Sequence, residues 1–188
     1  MTQPKTSDML FGALIADAAC LGLHWIYDPA RIADIAARQN GRSAFTPVDA
    51  ANYEGTKGYF AHGGRDNGML TQYGEALLLA IRSMNANGRA FDVAAYQKAF
   101  VAHFGPGGRY QGYIDRPTRA ALNNILAEQS PSGIDDDQNP AVARLPAIVA
   151  RYHDQADLSQ MMTKAMQVTN VNDIASAYGA AFADVLTR

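Results

Sequence analysis

The stretch His62–Met84, HGGRDNGMLTQYGEALLLAIRSM, contains the most strongly patterned helix of this chain. Its apolar side chains recur at the spacing of an α-helix, so one face is suited to a core: Met69, Leu70, Tyr73, Leu77, Ala80, Ile81 and Met84. The polar residues before them predict Asp66 or Asn67 as the N-cap, because a short polar side chain accepts hydrogen bonds from the free N–H groups of a first turn. Such a helix start can also hold an anionic ligand or place carboxylates around a metal ion.

The same periodicity and the capping residues predict further helices on both sides of this stretch. Their approximate bounds are Met9–Gly22, Pro29–Asn40, Val93–Phe104, Pro117–Glu128, Ala141–Tyr152, Leu158–Val168 and Asp173–Leu186. Ser7 or Asp8 is expected to cap the first of them, and Pro146 is expected to bend or break the helix that contains it. Since no strand pair or repeat is apparent and 188 residues suit one domain, the sequence predicts a single all-α domain over residues 1–188.

The first predicted helix has almost no polar side, and we therefore expect it to be buried among its neighbours. Asp17, within this helix, is the sole charged residue of the sequence between Met9 and Tyr27. A carboxylate there needs a cation, a metal or several hydrogen-bond donors, because an unpaired buried charge is costly. Two interpretations stay open: Asp17 belongs to a functional site, or it caps a neighbouring helix end or pairs with an arginine.

Two connections are rich in glycine and aromatic residues: Arg42–Gly64, and a second that starts at Gly105 and ends at Pro117 in the first turn of the next helix. Such loops can fold over a ligand and stack on a ring, although a surface loop held down by its aromatic residues is an equal explanation. His24, beside the only tryptophan, either lines a pocket or is a hydrogen-bonded core residue. The run Asp135–Asp137 can bind a cation, but an acidic surface turn is the commoner explanation of such a run.

Composition excludes several classes of function. The net charge is −2 and no basic tract is present, so no nucleic-acid partner is expected. The single cysteine and the absence of zinc-type spacing suit a reducing cytoplasm. The first residues lack a signal-peptide pattern and no apolar run looks long enough to span a bilayer, so no membrane partner is expected. The motifs of serine-nucleophile hydrolases, P-loop nucleotide hydrolases and zinc proteases are absent.

Five blocks of the sequence can be compared with the motifs of known families: GALIADAACLGLHW, GGRDNGMLTQYGEALL, GYIDRPTRAAL, DDDQNPAVARLP and TNVNDIASAYGAAFA. In this order they resemble the ADP-ribosylglycohydrolase family, which also contains the crystallin J1 proteins. The first resembles the Gly-Ala-x-x-Gly-Asp-Ala block, with Asp17 at its aspartate, and the second stands where the family has Thr-Asp-Asp-Thr before a helix. The fourth is similar to the family's Asn-Gly-x-x-Met-Arg-x-x-Pro block, and the resemblance covers most of residues 10–183.

The resemblance implies a multi-helix orthogonal bundle with a cleft for ADP-ribose. It also implies two magnesium ions held by acidic side chains, and hydrolysis of the glycosidic bond at the distal ribose, in which metals orient the ribose hydroxyls and a water. Asp17 and Asp66 would be catalytic, and Asp66 and Asn67 would at most be metal ligands. The substrate-binding residues would be His24, Tyr59, Arg65, Tyr110 and Asn139.

The chain also departs from the family pattern. Arg65-Asp66-Asn67-Gly68 replaces Thr-Asp-Asp-Thr, so one carboxylate and two hydroxyls are lost and an arginine stands where a metal would need oxygen ligands. His24 stands at the place of the family's glutamate, and Asn170 at the place of its histidine. The closing Asp-x-Asp-Thr metal block has no counterpart before Arg188. We therefore expect the N-terminal part of a longer fold, completed by a missing C-terminal segment or by a second chain.

Three functional hypotheses follow. The first is a hydrolase that cleaves a glycosidic bond to ADP-ribose, on ADP-ribose itself or an ADP-ribosylated substrate. The second is a non-catalytic protein that binds ADP-ribose or a nucleotide, or that serves as a crystallin-like structural protein. The third is a helical interaction module whose missing half is the surface of a partner.

Overall fold

The computed structural model describes residues 6–188, and this part of the chain contains eight α-helices and no β-strand. The helices are α1 (Thr6–Cys20), α2 (Pro29–Arg38), α3 (Gln72–Ala86), α4 (Val93–Phe104), α5 (Arg116–Leu126), α6 (Leu145–Tyr152), α7 (Leu158–Met166) and α8 (Asp173–Thr187). Short 3-10 turns occur at Leu21–Leu23, Ala50–Tyr53 and Pro140–Arg144. The prediction of an all-α fold is confirmed.

Helix α3 lies at the centre of the fold, where it packs against α1, α4, α6 and the 3-10 turn Pro140–Arg144. Its buried apolar residues recur at helical spacing, as the sequence predicts: Ala76, Leu77, Ala80 and Met84. Helix α6 is buried along most of its length, with Leu145 and Ile148 completely covered. Burying each such large apolar side chain stabilises a fold by about 1.5–3 kcal/mol, so α3 and α6 supply much of the core.

Two helices begin where local capping chemistry predicts. The Asp28 carboxylate accepts hydrogen bonds from the backbone N–H groups of Ala30 and Arg31 at the start of α2. Asp92 accepts from the N–H of Ala95 over 2.7 Å at the start of α4. Each cap satisfies N–H groups that have no partner within the helix.

Other helix starts differ from the prediction. Helix α3 begins at Gln72 with Thr71 as its N-cap, so the prediction of Asp66 or Asn67 as the cap is wrong. Asp66 starts a turn instead, in which its carbonyl accepts from the N–H of Met69. The following Gly68 has a φ of +86°, a left-handed conformation that interrupts any helix.

The first helix and the proline-containing helix also differ. Ser7 and Asp8 lie inside α1, which already includes Thr6, so neither is its N-cap. The predicted helix Ala141–Tyr152 is divided at the position that Pro146 suggested: a 3-10 turn ends at Arg144, and α6 then begins with Pro146 in its first turn. Proline suits a first turn because it has no N–H to donate.

The expectation that α1 is buried on all sides is wrong. Phe11 and Ile15 are 65% and 57% exposed, and Ala18 is the only buried residue of the helix. No other element of residues 6–188 covers this side of α1. The segment Thr6–Leu23 is also long and apolar enough, by length and composition alone, to cross a membrane, and only 17% of it is buried. This finding corrects the expectation that no apolar run reaches that length.

Candidate functional site

Asp17 joins α1 to the start of α3. Its Oδ2 accepts a hydrogen bond of 2.7 Å from the backbone N–H of Thr71, and its Oδ1 accepts one of 2.6 Å from the Thr71 hydroxyl. A Cβ placed on Gly74 would lie 2.3 Å from Asp17 Oδ2, so only glycine allows this close approach. Burial raises the pKa of the Asp17 carboxyl above its usual value, although the Thr71 hydrogen bonds oppose that rise. The contacts of Asp17 match the interpretation that it caps a neighbouring helix start.

His24 forms a pair with His62. His24 Nδ1 lies 2.7 Å from His62 Nε2, and the two rings are stacked with centroids 5.0 Å apart. His62 is 2% exposed, and its Nδ1 has no hydrogen-bond partner among the described residues. Burial, together with the charges of His24 and Arg65, lowers the pKa of His62 to about 4. One neutral histidine therefore donates to the other, and the pair resists protonation at neutral pH.

Next to this pair lies a cluster of three aromatic residues, which we call the aromatic cluster: Trp25, Tyr59 and Tyr113. The Trp25 ring meets the edge of Tyr113 with centroids 4.7 Å apart, and Tyr59 lies 5.9 Å from Trp25. Tyr59 is 57% exposed. Trp25 has a φ of 69°, which is rare for a bulky residue, and its carbonyl accepts from the N–H of Tyr59. The cluster therefore presents aromatic surface to solvent from a constrained backbone.

Arg65 points into the protein. Its guanidinium donates to Glu75 over 3.1 Å and to the carbonyl of Leu70 over 2.6 Å, and it lies 4.8 Å from the centroid of the Tyr110 ring. His103 also contacts Glu75, at 3.0 Å. Burial alone would raise the pKa of Glu75, but the hydrogen bonds from His103 and Arg65 outweigh it and hold the pKa below its usual value. With its side chain only 10% exposed, Arg65 acts as an internal ion-pair partner.

The predicted residues Tyr110 and Asn139 are also engaged within the fold. Tyr110 is 5% exposed, and its hydroxyl donates to the carbonyl of Tyr113, so it orders the loop that carries Tyr113. The Asn139 amide donates to the carbonyl of Ala175 over 2.9 Å and ties α8 to the 3-10 turn.

Asp66 and Asn67 lie on the surface before α3. The Asp66 side chain is exposed, and Asn67 Nδ2 donates to the carbonyl of Phe45 over 2.9 Å. The acidic run is held by contacts with distant parts of the chain: Asp135 accepts from Asn172, and Asp136 pairs with Arg116 at 3.4 Å. Within residues 6–188 none of these carboxylates belongs to a group of three or more His, Cys, Asp or Glu side chains that could hold a metal ion.

The sequence model of the family described as ADP-ribosylglycohydrolase matches residues 2–188. This chain belongs to the ADP-ribosylglycohydrolase family. It is similar to crystallin J1A of Tripedalia cystophora, with 30% identity over an alignment of 176 positions that covers 87% of this chain and 51% of the relative. Crystallin J1B of the same organism is 27% identical over the same shares. The chain thus spans about half the length of the curated relatives it matches.

A solved structure has the same fold as this chain. It is a chain of an ADP-ribosylglycohydrolase-related protein complex, superimposed with a TM-score of 0.65 at 16% identity. The match covers 97% of this chain and 56% of that one. At this identity the likeness shows the fold alone.

The residues of this family member do not fit the two magnesium ions that its sequence resemblance implies. Residues 6–188 contain no group of three or more His, Cys, Asp or Glu side chains that could hold a metal ion. Mg²⁺ requires near-octahedral oxygen coordination, whereas Asp66 offers one isolated carboxylate and the Asn67 amide is bonded to Phe45. The assignment of Asp66 and Asn67 as metal ligands stays a prediction.

Several residues that hold the start of α3 and its neighbours in place were not predicted from the sequence. Asp115, fully buried, caps α5 by accepting from the N–H of Thr118, and it also accepts from the Gln72 side chain over 2.5 Å. The Asp-x-Pro sequence before α5 is a recognisable helix start and could have identified this cap. No local signal marks Glu75 or His62, because their partners are distant in sequence.

Proposed function

We propose that this chain binds ADP-ribose, or an ADP-ribosyl group on a larger molecule, at the aromatic cluster, and that this binding does not require magnesium. The observation that carries the proposal is the aromatic cluster, in which Tyr59 is exposed and Trp25 and Tyr113 are half-buried, in a member of the ADP-ribosylglycohydrolase family. Aromatic side chains hold nucleobases by stacking, which contributes about 1–3 kcal/mol per base. Adenine and ribose supply the flat and polar surfaces that such a cluster accommodates.

A cation beside the cluster supports the diphosphate part of the proposal. The Arg119 guanidinium carbon lies 5.9 Å from the centroid of the Tyr113 ring, and the residue is exposed. Its side chain donates to the carbonyl of Ile114, which keeps it beside the cluster. Arg65, in contrast, is already paired with Glu75. We therefore assign the diphosphate to Arg119, and Arg65 supports the loop from inside.

Calorimetric titration with ADP-ribose, in magnesium and in a chelator, tests this proposal. We expect equal affinity in both conditions, and a loss of about tenfold or more for Tyr59→Ala and for Arg119→Ala. Tyr27→Ala is the matched control, because Tyr27 is 61% exposed but lies outside the aromatic cluster. Affinity that depends wholly on magnesium would contradict the metal-free mode. Absence of binding in both conditions would favour a crystallin-like structural role.

Hydrolysis of the glycosidic bond is a second candidate, and the carboxyl of Asp17 favours it. Burial raises its pKa, and a carboxyl that retains its proton more readily suits general acid catalysis. The assay is release of free ADP-ribose from an ADP-ribosylated protein, with and without magnesium. If Asp17 is the general acid, Asp17→Asn abolishes this release while circular dichroism shows intact helices, whereas unchanged turnover excludes that role.

A further inference from the structure

A cavity of about 140 Å³ lies where α1, α3 and α6 pack together, at the C-terminal end of α3. Each helix contributes apolar side chains to its walls: Leu10 of α1, Ile81 and Met84 of α3, and Ala147 and Ala150 of α6. Met84 and Ala147 are buried. An engineered apolar cavity of about 150 Å³ in another protein holds benzene. The space between these helices therefore accommodates an apolar group of about that size.

The rest of the cavity lining is polar and carries positive charge. Thr6 and Asn85 contribute a hydroxyl and an amide, and Arg89 and Arg151 contribute guanidinium groups. Thr6, Asn85 and Arg89 are exposed, whereas Arg151 is half-buried. Within residues 6–188 no carboxylate lines the cavity, and residues 1–5 contain no Asp or Glu. Two positive charges thus border one small space that has apolar walls.

The fold holds these two arginines beside each other. Arg89 follows the end of α3 in a left-handed conformation, with a φ of 69°, and its N–H donates to the carbonyl of Met84 over 2.7 Å. Arg151 Nε donates to the carbonyl of Arg89 over 3.0 Å. The N–H of Phe91 donates to the Tyr152 hydroxyl over 2.9 Å, which ties the same turn to α6 a second time. These contacts keep the backbone of Arg89 and the side chain of Arg151 at one place.

Most of the hydrogen-bonding capacity of the two guanidinium groups is unused by the protein. Among the described residues, neither Arg89 nor Arg151 forms an ion pair, and the bond from Arg151 Nε is the only hydrogen bond that either side chain donates. A guanidinium carries five N–H donors, and its paired N–H groups match the two oxygens of a carboxylate. Both arginines are therefore able to bind an anion without giving up an existing partner.

We propose that this cavity binds a small organic carboxylate, whose charged group contacts Arg89 and Arg151 and whose apolar group packs against α1, α3 and α6. The arginines supply attraction for the anion and a preference for its planar, two-oxygen geometry. The apolar walls add a hydrophobic contribution that an inorganic anion cannot obtain. None of the lining residues belongs to the aromatic cluster, so this is a second site, separate from the one proposed for ADP-ribose.

Titration with benzoate, followed by the methyl NMR signals of Ile81 and Ala147, tests this proposal. We expect saturable shifts of both signals with a dissociation constant of about 1 mM or less. Acetate has the charge but no ring, and benzamide has the ring but no charge. Each should bind at least about tenfold more weakly than benzoate, because each lacks one of the two contributions.

Variants of the lining separate the charged contribution from the apolar one. Arg89→Gln and Arg151→Gln should each weaken benzoate binding by about tenfold or more, because each removes a charged partner of the carboxylate. Ala150→Leu keeps both charges and should weaken binding by filling the apolar part. The matched control is Arg82→Gln, since Arg82 is an exposed arginine of α3 that does not line the cavity.

Circular dichroism of each variant establishes that its helices are intact. If Arg151→Gln disturbs them by losing its bond to the Arg89 carbonyl, Arg89→Gln alone tests the charged contribution, because the Arg89 side chain donates no hydrogen bond within residues 6–188.

Three results would overturn the proposal. One is a wild-type protein in which benzoate leaves the Ile81 and Ala147 signals unchanged. Another is equal affinity for benzoate and benzamide, which would assign the cavity to neutral ligands. The third is an Arg82→Gln variant that weakens binding as much as Arg89→Gln, since the effect would then reflect overall charge. Affinity for ADP-ribose is expected to be the same in Arg89→Gln as in the wild type, so failure here leaves the ADP-ribose proposal intact.

Discussion

Removing the Asp17 carboxylate should destabilise the protein through the start of α3. In Asp17→Ala, the backbone N–H and the hydroxyl of Thr71 both lose their acceptor. Thr71 is 1% exposed, so water does not replace that acceptor. Each buried donor left unsatisfied costs about 1–3 kcal/mol. Part of this loss is offset, because the substitution also removes the cost of burying the carboxylate. We expect the free energy of unfolding to fall by about 2–3 kcal/mol.

A double-mutant cycle with Thr71→Val isolates the side-chain hydrogen bond. The valine removes the hydroxyl that donates to Asp17 and that caps α3 by accepting from the N–H of Tyr73, but it keeps the backbone N–H. If the hydroxyl bond is the main shared interaction, the double variant should lose about 1.5–2 kcal/mol less than the sum of the two single losses. Urea denaturation followed by circular dichroism measures all four proteins.

Asp66→Ala is the control for this cycle, because Asp66 is an exposed aspartate in the same loop. Its effect on stability should stay within about 0.5 kcal/mol. The pH dependence adds a second test. Because the folded pKa of Asp17 is raised, its contribution to stability is greatest below the unfolded pKa and decreases as pH rises through the folded value. The penalty of Asp17→Ala should therefore grow in acid. The structural role of Asp17 would be refuted by an Asp17→Ala variant with unchanged stability, or by stability losses of Asp17→Ala and Thr71→Val that simply add in the double variant.

Two further predictions concern the same region. In the folded state the pKa of His62 is lowered from 6.5 to about 4, so between these pH values the unfolded chain binds more protons than the folded one. The free energy of unfolding therefore falls by up to about 3 kcal/mol as pH decreases from about 6.5 towards 4. His62→Gln should flatten this pH dependence, as measured by urea titrations at several pH values. Gly74→Ala places a Cβ 2.3 Å from Asp17 Oδ2 and should lower the free energy of unfolding by about 1–3 kcal/mol. The loss should be smaller when Asp17 is also replaced by alanine, and an equal loss in both backgrounds would contradict the close contact.

The sequence predicted the parts of the fold that depend on neighbouring residues. The bounds of α4 and the start of α2 follow from Asp92 and Asp28, whose side chains act within three residues of their own position. The start of α3 was not predictable in this way. Thr71 is selected as its cap because Asp17, 54 residues away, accepts from it. Asp66 and Asn67 are better caps by residue type alone, but Gly68 turns the chain away from a helix.

In the candidate site, too, features that depend on neighbouring residues were predictable and features that depend on distant contacts were not. Gly-rich loops with aromatic residues indicated either a binding surface or an ordinary surface loop, and Tyr59 is exposed there. The residue beside it in the aromatic cluster is Tyr113, and the predicted Tyr110 lies buried beneath Arg65. Nothing local distinguishes these two tyrosines, because the difference arises from which of them faces the core. The exposure of α1 could not be predicted either, since an apolar helix gives no indication of which of its sides is covered.

The first turn of α3 explains why stability and binding should be hard to separate in this protein. Thr71 binds Asp17 of α1, Gln72 binds Asp115 at the start of α5, and Glu75 binds both Arg65 and His103. Adjacent side chains of one turn thus connect α1, α4, α5 and the loop before α3. The aromatic cluster depends on the same connections, because Tyr113 precedes the α5 cap by two residues. A substitution in this turn should therefore weaken binding by moving Tyr113, even where the ligand does not touch the substituted residue. Only variants at the exposed Tyr59 and Arg119 report on the ligand contacts themselves.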